Sequence, residues 1–301
     1  MKNFLKTEAF IIMILAAVFI KEVRLDAAVG PYYKGQGRFQ TNDRVLELTK
    51  NLPLNGTGLE IAPFYRPTLL STEYDVFYTD YTTASELIKK HDHLSNVEEI
   101  DEETVEVDFI WYPEALLMNC VPKDLRFDYA IASHVIEHVP NVISWVSQIL
   151  NVLKTGGILS LAVPDKYYTF DFYRAETEVG ELIDIWIRDE KIPTPLQIYD
   201  MLSLSVFDYP RSEGGLLPFS KCGRPYTDQE ALEFALYAFT TNTYLDIHCS
   251  VFTPESFIKV FEKLHELGIL NISLSEPVIG ASEFFVQITK LGDPKLKHPK
   301  D

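Results

Sequence analysis

Short apolar runs alternate with helix-like segments through most of the chain. The seven runs that predict strands cover residues 58–62, 74–79, 105–109, 129–133, 157–163, 269–274 and 283–288. Alternation of this kind is typical of βα units around a parallel sheet, with helices on both faces. The pattern therefore predicts an α/β domain built on a mainly parallel, seven-stranded sheet.

Three helices carry clear end signals. Apolar residues recur at helical spacing over residues 142–153, and Lys154–Gly157 is predicted to end that helix. Thr227–Glu230 is a predicted capping box, in which the Thr and Glu side chains satisfy each other's backbone N–H groups. Thr253 followed by Pro254 predicts the start of a third helix.

The alternation breaks after Pro164, in a stretch rich in aromatic residues and prolines. We therefore expect one Rossmann-like domain over residues 41–290, with a helical insertion after the fifth strand, at residues 164–250, that forms a lid or substrate region. Residues 1–40 are predicted to be a hydrophobic helix and linker. Residues 291–301 are predicted to be a disordered tail.

The N-terminal segment Ala9–Ile20 is an unbroken apolar run of 12 residues, behind Lys2 and Lys6. A spanning helix needs about 20 such residues, so the run is short for crossing a bilayer. Its length and basic flank suit a signal peptide, but the charged residues after it do not. A membrane-attached or partner-docking helix and a helix packed on the protein's own core both remain open.

Charge and cysteine content narrow the classes of partner and compartment. The 301 residues include 27 Lys+Arg against 44 Asp+Glu, a net charge of −17, which disfavours general binding to nucleic acid. The three cysteines are widely spaced and form no C-x-x-C pair, so a disulfide framework is not expected. We predict a cytoplasmic protein, with membrane attachment through residues 9–20 left open.

Three acidic residues are predicted at the ends of successive strands. Glu60 lies in the first strand, Asp80 follows the second, and Asp108 is near the end of the third. In open parallel sheets the ligand lies outside the carboxyl ends of the strands, and an acidic residue there can bind ribose hydroxyls. We therefore expect Asp80 to bind a ribose and Asp108 to face an adenine amine.

Several motifs together resemble a known family. Phe127–Asp165 (FDYAIASHVIEHVPNVISWVSQILNVLKTGGILSLAVPD), Gly58–Pro67 (GLEIAPFYRP) and Tyr78–Asp80 resemble class I S-adenosylmethionine-dependent methyltransferases of the small-molecule, methyltransferase type 11-like kind. Pro164–Thr177 and Asp246–Phe257 resemble a subgroup associated with bacterial polysaccharide loci. The resemblance implies a methyltransferase that uses S-adenosylmethionine and acts on O or N of a small or saccharide-like acceptor.

The resemblance also implies roles for residues along the cofactor. Asp80 would hold the ribose, and Asp108 would face the adenine, with Phe109 lining its ring. An acidic, aromatic-lined cleft also suits a sulfonium, because it stabilises positive charge.

At the methionine end, the resemblance places Glu60 near the amino group and Ser133 and His134 beside the sulfonium methyl. The family usually has glycine at position 62, where this chain has Ala62. A Cβ there obstructs positive φ and close approach to a ligand. Binding at Ala62 is therefore the part of the interpretation that this departure weakens.

His134–His138 matches H-x-x-E-H, the zinc pattern of one metalloprotease class, which needs both histidines on one helix. Here the motif spans a strand end and a loop, so we expect no metal and assign Glu137 and His138 to loop hydrogen bonds. His134 is the catalytic candidate, as a general base. It could equally be a pocket wall, because methyl transfer can gain its rate from positioning.

The insertion supplies predicted contacts to the acceptor. Arg174 could bind a carboxylate or phosphate through two hydrogen bonds. An aromatic-packed lid is the competing interpretation of the same stretch. The predicted substrate-binding residues are Asp165, Tyr168, Asp171, Arg174 and His248.

Two alternatives to an active methyltransferase are weighed. A nicotinamide-dependent oxidoreductase is disfavoured because G-x-G-x-x-G is missing after the first strand. A binding or regulatory protein on the same fold that has lost catalysis is the stronger alternative, motivated by Ala62-Pro63.

Overall fold

The computed structural model describes residues 41–90, 105–207, 211–212 and 215–300. The hydrophobic segment Ala9–Ile20 lies outside these residues, so its fate stays a prediction. Within the described ranges, no helix combines the length and the apolar character that crossing a bilayer requires.

All seven predicted strands are present, and three two-residue strands complete the set. The strands are β1 (Gly58–Ile61), β2 (Val76–Asp80), β3 (Phe109–Ile110), β4 (Phe127–Ser133), β5 (Leu153–Pro164), β6 (Arg211–Ser212), β7 (Gly215–Leu216), β8 (Ile272–Leu274), β9 (Val278–Ile279) and β10 (Glu283–Lys290). The main sheet has the order β3-β2-β1-β4-β5-β10-β8, with β9 paired to β10, while β6 and β7 form a separate hairpin.

Strands β1 to β5 run parallel, and β10 is antiparallel to the strands on either side of it, β5 and β8. The mainly parallel Rossmann-like fold is thus confirmed. Reversal of β10 pairs its first residue, Glu283, with Pro164 at the end of β5. Residues of the last strand therefore reach the carboxyl edge, where the ends of β1, β2 and β4 lie.

The helices are α1 (Thr41–Thr49), α2 (Ala84–Lys90), α3 (Leu117–Cys120), α4 (Val142–Val152), α5 (Val179–Arg188), α6 (Pro195–Leu204), α7 (Asp228–Thr241) and α8 (Pro254–Glu266), with single 3₁₀ turns at Ile136–His138, Lys166–Tyr168 and Phe219–Lys221. Both predicted caps are confirmed: Thr227 accepts the Glu230 N–H, and Thr253 accepts the Ser256 N–H. A capping box at Thr194, which the sequence analysis missed, starts α6.

The sheet is buried on both faces, which explains why its strands are nearly continuous apolar runs. Along β4, Ala130 and Ala132 pack with α4 and α8, while Tyr129 and Ile131 pack with α1 on the other face. A Cβ on Gly58 would lie 2.3 Å from the Tyr129 ring, so only glycine fits that position. Helices on both faces were predicted, and this alternation is their physical basis.

The insertion after β5 has its own small core between α6 and α7. Residues Ile198, Leu202, Phe234 and Ala235 are buried there, together with Cys249. Cys249 and the two other cysteines are free thiols, as expected. Helix α5 instead packs on the main sheet through Leu182 and Trp186.

The predicted helix end before Lys154–Gly157 is confirmed, since α4 ends at Val152. β5, however, begins at Leu153, four residues earlier than predicted, and Lys154 there binds Asp128 of the neighbouring strand β4. The tail is irregular but ordered against the domain. Its His298 Nε2 donates to the Trp186 carbonyl at 2.6 Å, and the Lys295 N–H donates to the Gly268 carbonyl.

Candidate functional site

The turn after β1 is held from within by Glu60. Its buried carboxylate accepts hydrogen bonds from the N–H groups of Thr68 (2.7 Å) and Leu69 (3.3 Å). Burial raises the Glu60 pKa, and these bonds and the charge of Arg44 offset part of the rise. Glu60 therefore shapes the loop over residues 62–69, and its predicted contact with an amino group stays a prediction.

Ala62 adopts the left-handed conformation that glycine usually supplies. Its φ is 52°, and Phe64 two residues later has a φ of 49°. A residue with a Cβ pays of order 1–2 kcal/mol for such a conformation, so the turn keeps its shape against a local preference. The Cβ of Ala62 thus does not prevent positive φ.

Asp80 ends β2 and is buried, with 5% of its surface exposed. Its Oδ1 accepts the Tyr81 N–H at 2.7 Å. In the part of the chain that the structure describes, Oδ2 has no hydrogen bond and the carboxylate forms no ion pair. Burial raises the Asp80 pKa to about 6, partly offset by the Tyr81 N–H and the charge of Lys90. A carboxylate in this state can accept hydrogen bonds from a ligand's hydroxyls.

The placement of Asp108 near a strand end is wrong. β3 starts at Phe109, so Asp108 precedes the strand, and its Oδ2 accepts the Tyr78 N–H at 2.7 Å. The Phe109 ring stacks on Phe77, with centroids 5.4 Å apart. Trp111 follows the carboxyl end of β3, and its backbone N–H donates to the Asp80 carbonyl. The predicted adenine contacts of Asp108 and Phe109 stay predictions.

The end of β4 carries a charged cluster that joins distant parts of the chain. Glu283, at the start of β10, accepts from Arg44 Nε of α1 at 2.8 Å, and its Oε2 lies 2.7 Å from His134 Nε2. Arg44 also donates to the Ser133 hydroxyl. Burial alone would raise the Glu283 pKa, but His134 and Arg44 lower it to about 2. Glu283 thus ties the first helix to the β4 end.

His134 lies at the predicted position, at the end of β4. Its φ is 54°, and its ring faces two carboxylates: Nε2 faces Glu283, and Nδ1 is 3.5 Å from Oε1 of Glu137. Burial would lower the His134 pKa, but its contacts with Glu137 and Glu283 and their charges raise it to about 10. An imidazolium has no lone pair to accept a proton, so this geometry disfavours the general-base role, which stays a prediction.

The H-x-x-E-H motif does not form one helix. His134 lies at the strand end, while Glu137 and His138 lie in the single 3₁₀ turn that follows. The Glu137 carbonyl accepts the N–H groups of Cys249 and Ser250, and His138 Nδ1 donates to Asp246 Oδ1 at 2.9 Å. This turn therefore binds the segment that returns from the insertion.

Three of the five predicted substrate residues form one buried network. Asp171 accepts from Arg174 Nη1 at 2.7 Å and from His248 Nδ1 at 2.6 Å. Arg174 Nε also donates to Asp200, and its side chain is 2% exposed. Arg174 is therefore committed to two carboxylates, a geometry that disfavours its predicted contact with an acceptor, which stays a prediction.

Asp165 and Tyr168 flank the short turn after β5. Asp165 caps that turn by accepting the Tyr167 N–H at 3.0 Å. The pKa of Asp165 is raised to about 6, because the effect of burial outweighs the lowering by the Tyr167 N–H. Tyr168 is partly exposed beside it. Both stay candidates for acceptor binding.

The sequence analysis missed Arg44, Glu283 and Asp246. Each reaches the site from an element more than 80 residues from its partner, so no local motif contains the pair. One signal was available for Glu283: it is an acidic residue that opens an otherwise apolar strand at the carboxyl edge.

Comparison with family models finds a match over residues 36–264, to a family described as "Methyltransferase domain". Comparison with curated proteins finds no match.

Three solved structures illustrate the structural similarity. A proposed S-adenosylmethionine-dependent methyltransferase from Listeria monocytogenes is 12% identical over 83% of this chain and 99% of its own, with a TM-score of 0.42. A methyltransferase from Thermotoga maritima is 13% identical over 82% and 87%, at 0.38. A proposed zinc-dependent alcohol dehydrogenase from Rhodobacter sphaeroides is 12% identical over 84% and 91%, at 0.44.

Proposed function

Because the chain belongs to the methyltransferase-domain family and its cofactor is S-adenosylmethionine, we propose that it transfers the methyl group to a hydroxyl or amine of a small, saccharide-like acceptor. The observation that carries the proposal is the buried Asp80 carboxylate at the end of β2, with one oxygen unbonded among the described residues. The left-handed turn at Ala62 stands beside it, at the end of the neighbouring strand.

The residues present fit this cofactor. Asp80 is placed to accept hydrogen bonds from ribose hydroxyls. Arg44 lies between Ser133 and Glu283, near enough to Glu60 to lower its pKa, and so offers a cation for the cofactor's carboxylate. Asp108 and Phe109 remain the proposed adenine contacts, through atoms that their bonds to β2 leave available.

The cofactor supplies an electrophilic methyl on a sulfonium, and the chain's residues position the two reactants. An acceptor oxygen or nitrogen would take that methyl, with the cofactor's sulfur as the leaving group that keeps the electron pair of the carbon–sulfur bond. His134 acts as a cationic pocket wall held by Glu137 and Glu283, and the acceptor's proton leaves to solvent. Rate enhancement then comes chiefly from positioning.

Asp165 and Tyr168 are the proposed acceptor contacts at the end of β5. A saccharide presents several hydroxyl donors, which suit a carboxylate whose single described hydrogen bond comes from the Tyr167 N–H. The sequence resemblance of residues 164–177 and 246–257 to a polysaccharide-associated subgroup points the same way.

Calorimetric titration with S-adenosylhomocysteine tests the cofactor site. We expect micromolar binding by the wild type and at least a roughly 100-fold loss in Asp80→Ala, because two hydrogen bonds to a charged group disappear. Asp75→Ala is the matched control, since Asp75 is an exposed acid at the opposite end of β2 that binds Thr57. Wild-type affinity in Asp80→Ala would overturn the ribose assignment.

A binding protein without turnover is the second candidate. It is favoured by Glu60, whose two oxygens already accept backbone N–H groups of Thr68 and Leu69. Incubation with methyl-labelled cofactor and a panel of mono- and disaccharides separates the two candidates. Label in a sugar supports the enzyme, whereas tight binding with no transfer to any acceptor supports the second candidate.

A further inference from the structure

One carboxylate and two imidazoles meet where the turn after β4 contacts the segment that precedes α8. They belong to Glu137, His138 and His248, and one ligand atom from each lies within 4.8 Å of the other two. The first two residues are neighbours in the 3₁₀ turn, whereas His248 lies about 110 residues further along the chain. The grouping is thus a product of the tertiary fold.

Buried polar atoms in this cluster have no partner among the described residues. Both carboxylate oxygens of Glu137 and Nε2 of His248 are shielded from solvent and lack a hydrogen bond of good geometry, although His134 Nδ1 lies 3.5 Å from Oε1 of Glu137. The two side chains are 3% and 2% exposed. Buried polar groups are almost always hydrogen-bonded, so these unpartnered atoms need an explanation. A cation among the three ligand atoms would give a Glu137 oxygen and His248 Nε2 a partner.

Each histidine is oriented by a second carboxylate. His138 Nδ1 donates to Asp246 at 2.9 Å, and His248 Nδ1 donates to Asp171 at 2.6 Å. With Nδ1 used as a donor, Nε2 carries the lone pair of a neutral imidazole. Metal-binding histidines are typically held in this way by a carboxylate on the other ring nitrogen.

The supporting carboxylates are themselves fixed. Asp171 is held by Arg174 at 2.7 Å, and Lys90 lies 3.8 Å from Asp246. His138 Nε2 lies 4.0 Å from Oε1 of Glu137, a separation that a shared metal ion would bridge with little movement. The cluster therefore has three candidate ligands and an outer layer that orients them.

We propose that Glu137, His138 and His248 bind a divalent first-row transition metal such as Zn²⁺. Imidazole nitrogens combined with a carboxylate suit Zn²⁺, Fe²⁺ and Mn²⁺. Three protein ligands leave a coordination position open, which is the arrangement of catalytic sites as opposed to closed structural ones. This last step rests on the proposed function: the open coordination position takes a hydroxyl oxygen of the acceptor.

Zinc titration of the full chain, stripped with EDTA, tests the proposal. We expect one Zn²⁺ per chain, with affinity reduced more than ~100-fold in Glu137→Gln and in His248→Gln. Asp246→Asn, which removes an orienting carboxylate, should reduce affinity roughly 10–100-fold. Ser250→Ala, in the same segment as His248, and His265→Gln, an exposed histidine of α8, should bind Zn²⁺ as the wild type does.

Cobalt substitution of the wild type decides the question even where a variant fails to fold. Two strongly shifted, exchangeable imidazole N–H signals in the NMR spectrum are expected from Co²⁺ bound to two histidines through Nε2. Absence of Zn²⁺ and Co²⁺ binding overturns the site, and so does unchanged affinity in both ligand variants. The cluster is then a hydrogen-bonded imidazole–carboxylate group without metal.

A titration with S-adenosylhomocysteine on the same stripped sample separates the two proposals. Cofactor binding without metal binding leaves the proposed function standing and removes the metal site. Metal binding without cofactor binding leaves the metal site standing and removes the proposed function.

Discussion

Two parts of the carboxyl edge differ in how their buried carboxylates are paired. At the end of β2, Asp80 forms no ion pair within the described chain. Near the end of β4, Glu283 lies between Arg44 and His134, and Asp171 lies between Arg174 and His248. Burial acts on all three carboxylates alike. It raises the Asp80 pKa to about 6, yet the partners of Glu283 and Asp171 lower their pKa values to about 2. The comparison teaches that burial without a charged partner leaves an Asp80 oxygen available to donors from outside the protein, while the partners of Glu283 and Asp171 commit those carboxylates to the fold.

The strongest way to break this contrast is to remove a paired carboxylate. Asp171→Ala leaves Arg174 with one carboxylate and His248 Nδ1 without an acceptor inside the domain. We expect a loss of about 3–5 kcal/mol in the free energy of unfolding, measured in urea, because a buried charge is left uncompensated.

Asp184→Ala is the control for that measurement. It breaks the Arg188–Asp184 pair of α5, in which both side chains are more than 60% exposed. A loss below about 1 kcal/mol is expected there. Equal losses in the two variants would contradict the role given to the buried network.

The pH dependence of cofactor binding sharpens the contrast on the Asp80 side. A carboxylate accepts hydroxyl hydrogen bonds best when ionised, so S-adenosylhomocysteine affinity should fall as pH drops below about 6, approaching tenfold per unit. Titrations between pH 7.5 and pH 5 measure this. Asp80→Asn should bind weakly with no such slope, and a wild-type affinity that is flat down to pH 5 would contradict the assignment.

The contribution of Asp80 to the free energy of unfolding of the unliganded protein should change with pH in the opposite direction to the cofactor affinity. The folded pKa of Asp80 is raised above its ordinary value of 3.8, so this group favours folding most below that value and loses the contribution as pH rises through 6. Asp80→Asn should therefore be more stable than the wild type at pH 7.5, by at most ~3 kcal/mol. The same variant gains stability and loses affinity, which is the signature of a site kept for a ligand.

The smallest expected effect concerns the turn beside Asp80. Ala62→Gly relieves a positive φ, so we expect a gain of about 1 kcal/mol in the free energy of unfolding and an unchanged cofactor affinity. Ala130→Gly, in the buried strand β4, should instead be destabilising. Weaker cofactor binding by Ala62→Gly would mean that the alanine methyl contacts the ligand.

The sequence predicted the sheet well because a buried strand can be identified from a few consecutive apolar residues. Most of the seven strands are apolar runs, and position 80 follows directly from where β2 ends. β3 was predicted too early because Val105 and Val107 alternate with acidic residues in a strand-like pattern, although only Phe109–Ile110 pair with β2. The capping boxes of α7 and α8 were predictable for the same reason, since each needs four consecutive residues.

Of the charged cluster at the end of β4, the sequence predicts only the residues that lie next to each other along the chain. Ser133 and His134 follow from the end of β4, but Arg44 and Glu283 meet them through the topology of the sheet. A sequence does not say which carboxylate an arginine meets, so Arg174 was assigned to a ligand when Asp171 and Asp200 neutralise it. The same limit hid the meeting of His248 with the turn after β4.

The reversed strand β10 has a consequence for biosynthesis. β10 inserts between β5 and β8, and its first residue joins Arg44 of the first described helix to His134. While the chain is being made, one edge of β5 therefore remains unpaired until β10 has left the ribosome. An unpaired strand edge can pair with other chains and aggregate. The Arg44–Glu283–His134 cluster therefore cannot assemble before β10 has been made, whichever parts of the domain fold earlier.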